Sequence, residues 1–198
     1  MRLFFVLFLF LITFQAKGAT IVIMGDSLSA GYGIPLEKGW VNLINQKLAR
    51  EHPDWHLVNE SISGETTYGG LSRIDSVLSQ YKPRIIIIEL GGNDGLRGLP
   101  LNTSKANLKA MINRAQANHA KVLLVGIQLP HYYGSRINVQ LQSMYRDLAN
   151  ESHVPLLPFL LIALENHPED FQNDGIHPTV SAQPLIASTL YNALKPLL

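Results

Sequence analysis

The chain has 198 residues, 46% of them hydrophobic and 16% charged, with 16 Lys+Arg against 15 Asp+Glu and no cysteine. This balance describes a globular protein and offers no basic face for nucleic acid. The lack of cysteine excludes a thiol nucleophile, a thiolate metal site, a disulfide framework and lipid attachment through an N-terminal cysteine.

The first residues read as a leader. Arg2 is a minimal positive start, Leu3 to Ile12 is an unbroken apolar run, and Ala16-Lys17-Gly18 is a small-x-small cleavage site. The run falls well short of the roughly 20 residues that span a bilayer, so export is expected rather than anchoring. Residues 1–18 are then a signal peptide and 19–198 one domain, periplasmic or secreted. Losing Arg2 and Lys17 leaves 14 Lys+Arg against 15 Asp+Glu, a net charge of −1.

Beyond the leader, short β-type runs alternate with helical patterns. Strands are expected at Ile21–Met24, His56–Asn59, Arg84–Leu90, Lys121–Ile127 and Pro155–Leu157. Ile85 to Ile88 and Val122 to Val125 are continuously apolar, as parallel strands covered on both faces are. Helical spacing recurs in Trp40, Leu43, Ile44 and Leu48, in Leu108, Met111, Ile112 and Ala115, and in Leu141, Met144, Tyr145 and Leu148. A last helix runs through Leu185, Ile186, Leu190 and Leu194. The alternation predicts a three-layer α/β/α sandwich on a parallel sheet, with ligands at the C-terminal ends of its strands.

The turn residues gather at those ends. Gly25-Asp26-Ser27 follows the first strand, Ser63-Gly64-Glu65 the second and Gly91-Gly92-Asn93-Asp94-Gly95 the third, while Asp174 and His177 precede the last helix. Taken singly, each has an ordinary explanation. Ser27 caps a helix, Asp174 caps a turn before Pro178, and Gly91–Gly95 is a tight turn. Taken together, they supply a hydroxyl nucleophile, an imidazole base and a carboxylate to orient it. An i, i+3 spacing brings Asp174 and His177 to one side of a helical turn. The Asn93 amide, the Gly64 N–H and the Ser27 N–H become oxyanion donors. The other histidines, His52, His56, His119, His131, His153 and His167, read as surface or packing residues. No G-x-S-x-G elbow occurs, which argues against an α/β-hydrolase proper.

The four blocks Gly25-Asp26-Ser27-Leu28-Ser29, Ser61-Ile62-Ser63-Gly64-Glu65-Thr66, Gly91-Gly92-Asn93-Asp94 and Asp174-Gly175-Ile176-His177-Pro178 resemble the GDSL, or SGNH, hydrolase superfamily, in the same order. Glu89 to Gly98 and Val154 to Phe159 are similar to its secreted bacterial thioesterase, lysophospholipase and arylesterase members. That resemblance implies a flavodoxin-like five-stranded sheet in the order 2-1-3-4-5 and no metal or organic cofactor. It implies a small-molecule acyl ester, thioester or lysophospholipid as substrate, without a nucleic acid, a membrane anchor or an obligate protein partner. Leu96, Leu99, Leu101, Ile127, Leu129, Tyr132 and Tyr133 are the candidates for an acyl site. A carbohydrate-ester deacetylase on the same scaffold and a non-enzymatic ligand-binding domain are the competing readings.

Overall fold

The computed structural model describes residues 18–198; the leader expected at 1–18 falls, but for Gly18, outside the described residues. The chain enters the sheet through β1 (Ala19–Gly25) and turns at once into the single-turn helix α1 (Ser27–Ala30). There follow α2 (Trp40–Glu51), β2 (Trp55–Asn59), α3 (Thr67–Tyr81) and β3 (Ile85–Glu89). Then come α4 (Gly92–Leu96), α5 (Leu101–Ala117), β4 (Lys121–Val125), α6 (Ser135–Ser152), β5 (Leu156–Leu157) and α7 (Gln183–Leu194).

All strand pairs are parallel and the order is β2-β1-β3-β4-β5, as the family resemblance implies. The register explains the unbroken apolar runs. Val22, Ile86 and Val122 lie in one row across the sheet, and Ile23, Ile87 and Leu123 in the next. Successive side chains point to opposite faces, and each face has its own core. The first row packs with Ile74 of α3, Leu108 and Met111 of α5 and Tyr145 of α6. The second packs with Trp40 and Ile44 of α2 and Ile186 and Leu190 of α7. Ile85 to Ile88 are wholly buried, each stabilising the fold by about 1.5–3 kcal/mol. Among the described residues no helix is long and apolar enough to cross a membrane.

The strand order reverses between β1 and β3, which carry the chain in opposite directions from there. A crevice opens at their C-terminal ends, where ligands settle in such sheets. Ser27 stands two residues past the end of β1, and Asn93 four past the end of β3. The topology thus puts these two side by side before any side chain is placed.

Candidate active site

Ser27 is the first residue of α1, and Asp26 caps that helix by accepting the Leu28 N–H at 3.0 Å. Gly25 is required just before it. A Cβ there would stand 2.5 Å from Ser29 Oγ and 2.6 Å from Glu89 Oε2, so only glycine lets the strand turn over the Glu89 carboxyl. Asn93 owes its place to Gly91, whose φ of 124° swings the chain from β3 into α4. The segment after Gly91 is therefore the short helix α4 rather than the tight turn of its ordinary reading. It is anchored by Asp94, which is buried and accepts the Thr67 N–H at 2.9 Å and the Ser104 hydroxyl at 2.9 Å.

The segment from Asp174 to His177 is a turn, not the helical turn expected from the i, i+3 spacing. Gly175 takes φ 66°, and α7 begins only at Gln183. Asp174 closes the turn with one oxygen, Oδ1, which accepts the Ile176 N–H at 2.9 Å and the His177 N–H at 3.0 Å. Its other oxygen, Oδ2, lies 2.7 Å from His177 Nδ1. His177 Nε2 in turn lies 2.7 Å from Ser27 Oγ, across 150 residues of sequence. The Tyr32 ring packs on the imidazole with its centroid 4.5 Å away. Partial burial of Asp174 pushes its carboxyl up, but the hydrogen bonds from the His177 backbone, the His177 ring and the Ile176 backbone prevail and hold it at about 2. The carboxylate is ionised at neutral pH.

Ser27, Asn93 and His177 open onto a cavity of about 640 Å³. Of the acyl-site candidates, Leu96, Ile127, Leu129 and Tyr132 line it, whereas Leu99, Leu101 and Tyr133 do not. His131, expected to be a surface residue, is exposed and also stands at its wall. Much of the other apolar lining comes from Phe159, Leu161, Leu164, Phe171 and Ile176 in the long segment between β5 and α7, with Leu28 of α1 beside Ser27. That segment has no helical or strand period, so hydrophobic spacing gave no sign of it. Gly64 does not line the cavity. It turns with φ 79° beyond β2, and its carbonyl accepts a hydrogen bond of 2.8 Å from Arg97, the residue that ends α4. Among the described residues no group of three or more His, Asp or Glu is arranged to hold a metal ion.

The arrangement can move a proton from a hydroxyl to an imidazole whose far nitrogen is held by a carboxylate, beside an apolar cavity. The profile of the GDSL-like Lipase/Acylhydrolase family matches residues 23–183. The chain belongs to that family. It is 44% identical over 190 residues to esterase TesA of Pseudomonas aeruginosa, spanning 96% of this chain and 94% of the relative. It is 43% identical over 192 residues to thioesterase 1/protease 1/lysophospholipase L1 of Escherichia coli, spanning 96% and 91%. A crystal structure of TesA superposes with a TM-score of 0.88 at 44% identity, over 90% of this chain and 99% of that one. Membership of this hydrolase family makes the chain an enzyme and removes the non-enzymatic binding domain.

Proposed function

We propose that this hydrolase cleaves fatty-acyl esters, acyl thioesters and lysophospholipids through an acyl-enzyme on Ser27. The observation that carries the reading is the pair of 2.7 Å contacts running from Ser27 Oγ through His177 to Asp174, at the wall of an apolar cavity. Ser27 Oγ attacks the carbonyl carbon while His177 Nε2 takes its proton, and Asp174 keeps the other ring proton on Nδ1. The oxyanion is held by the Asn93 amide and the Ser27 N–H, both at the cavity wall, with the Gly64 N–H as a third donor from the turn beyond β2, outside the lining itself. His177 then gives its proton to the departing alcohol or thiol. Water, activated by the same imidazole, attacks the acyl-enzyme and releases the acid. The names of the two relatives, an esterase and a thioesterase/lysophospholipase, support these substrate classes.

The cavity lining favours acyl chains over acetylated sugars, because Leu, Ile and Phe side chains make most of its surface apolar, although Gln128, His131, Glu165 and Asn166 also stand in its wall. A series of p-nitrophenyl esters from acetate to dodecanoate tests this. Each methylene buried is worth about 0.8 kcal/mol, roughly fourfold in kcat/KM, until the cavity is full. A rise of that kind through the medium chains is expected. A flat series, with acetylated sugars hydrolysed faster, would assign the enzyme to carbohydrate esters.

Residues 1–18 act in this reading as an export signal, and the mature enzyme, residues 19–198, works as one domain in the periplasm or outside the cell. Arg2, the apolar run and Ala16-Lys17-Gly18 support it. A cut after Gly18 also leaves the sheet whole, since β1 begins at Ala19 and the Ala19 N–H already pairs with the Asp54 carbonyl. Intact-mass analysis of the exported protein is expected to give an N-terminus at Ala19. Retention of all 18 residues would contradict the signal.

A further inference from the structure

Behind the nucleophile lies a second carboxylate, which proton transfer among Ser27, His177 and Asp174 does not use. Asp26 is 3% exposed, and its two oxygens have separate tasks. Oδ1 caps α1 through the Leu28 N–H, and Oδ2 accepts from Asn93 Nδ2 at 3.1 Å. The space for it is made by Gly92, where a Cβ would stand 3.1 Å from Oδ2. The Asp26 N–H donates in turn to Glu89 Oε2 at 3.3 Å, and Ser29 Oγ donates to the same oxygen at 2.6 Å. One carboxylate thus ties the helix that carries Ser27 to the amide of Asn93.

We infer that Asp26 is a positioning residue for hydrolysis: its carboxylate orients the Asn93 amide so that an N–H, and not the carbonyl oxygen, meets the forming oxyanion. An asparagine side chain has one donor end and one acceptor end of nearly the same shape, and a half-turn about its last bond exchanges them. An ionised carboxylate only accepts. Facing Asp26 Oδ2, Asn93 must therefore present its nitrogen, which commits one N–H to Asp26 and leaves the second for the cavity. With the amide reversed, two oxygens would face each other at Asp26, and a lone pair would replace the oxyanion donor.

The burial this requires is unfavourable. Burial raises the Asp26 carboxyl to about 6, although the Leu28 N–H, the His177 charge and the Asn93 amide each pull it down. Burial and then the Asp26 charge push Glu89 well above the usual carboxylate range. The two carboxyls oppose each other's ionisation, and the more deeply buried Glu89 is pushed up further, so the negative charge of the pair falls on Asp26 first. A carboxyl whose folded value exceeds its unfolded one makes the fold less stable as pH rises through that interval. Retaining such a group beside the reacting atoms points to a role in the reaction rather than in stability.

The test rests on the hydrolytic reading and uses p-nitrophenyl butanoate with the wild type, Asp26→Asn, Asn93→Ala and the double variant, alongside thermal unfolding at pH 8. The amide that Asp26→Asn introduces can still cap α1 with its oxygen, but its NH2 then faces Asn93 and draws the Asn93 carbonyl toward it. Asp26→Asn is expected to lower kcat by about 10²–10³-fold, the loss typical of one oxyanion donor, with KM nearly unchanged and the melting temperature equal or higher. Asn93→Ala is expected to cost about as much, and the double variant no more than Asn93→Ala alone. Losses that multiply in the double variant, or full kcat in Asp26→Asn, would overturn the inference. Should Asp26→Asn fail to fold, Asp26→Ser keeps a helix cap too short to reach Asn93, and the same comparison applies. A wild type inert toward every ester would instead sink the hydrolytic reading.

Discussion

Ser27→Ala is expected to abolish measurable ester hydrolysis, with kcat falling by about 10⁶-fold, and to leave the protein folded. In serine hydrolases the nucleophile and its base act as one unit, so removing either costs nearly as much as removing the whole relay. What survives is the modest acceleration from oxyanion donors and substrate binding alone. Stability should barely change, by about 0.5 kcal/mol or less, because Ser27 is half-buried at the wall of an open cavity and, among the described residues, its hydroxyl bonds only to His177. Two measurements check this together. A fluorophosphonate probe should label the wild type once per chain and leave the variant unlabelled, while their melting curves coincide. An unlabelled variant that still turned over p-nitrophenyl esters at the wild-type rate would remove Ser27 from the mechanism.

The fold was legible where burial is two-sided and regular. Ile85 to Ile88 can run unbroken only because alternate residues enter different cores, and the expected strand there is one residue longer at each end than β3. β4 is shorter than expected because it stops at Val125. Gly126 is then pinned by its N–H to the Leu157 carbonyl at 2.8 Å. Helix α3 is not among the expected helices, although Leu71, Ile74, Val77 and Leu78 stand at helical spacing. It carries Gly69 and Gly70, which lower helix propensity, and the second is needed because Leu90 and Met111 press against that turn. Its stability comes from tertiary packing of Ile74, Val77 and Leu78, which form one face of the helix.

The site divides in the same way. Ser27, Asn93, Asp174 and His177 stand in short blocks with distinctive chemistry, so residue type and order sufficed to nominate them. The cavity wall did not announce itself. Phe159, Leu161, Leu164 and Phe171 belong to a segment of single turns, and what collects them is the return of the chain from β5 to α7. Asp26 stands out in the sequence only as a member of the Gly25-Asp26-Ser27 block. Its second bond, to Asn93, spans 67 residues and depends on the approach of β1 to β3.

Asp174→Asn is expected to lower kcat by about 10⁴-fold with little change in KM or fold. The reason lies in how the two oxygens of Asp174 are divided. Oδ1 serves two backbone N–H groups, and Oδ2 serves His177 Nδ1. An amide has one oxygen and one NH2, and the two backbone donors outnumber the single ring donor. The oxygen of the substituted side chain therefore turns to the Ile176 and His177 N–H groups, which preserves the turn, and its NH2 faces Nδ1. The ring must then carry its proton on Nε2, where it points at Ser27 Oγ and cannot accept the hydroxyl proton. Substrate binding survives because Asp174 does not line the cavity. The pH profile adds a second check. With Asp174 held at about 2, its carboxylate stays ionised across the working range, and the stability it lends is present above the ordinary aspartate value and lost only as pH falls toward 2. A change of activity in mild acid would therefore not report Asp174. Steady-state kinetics of Asp174→Asn within tenfold of the wild type, on protein with an unchanged melting temperature, would show that His177 takes the serine proton without help from Asp174.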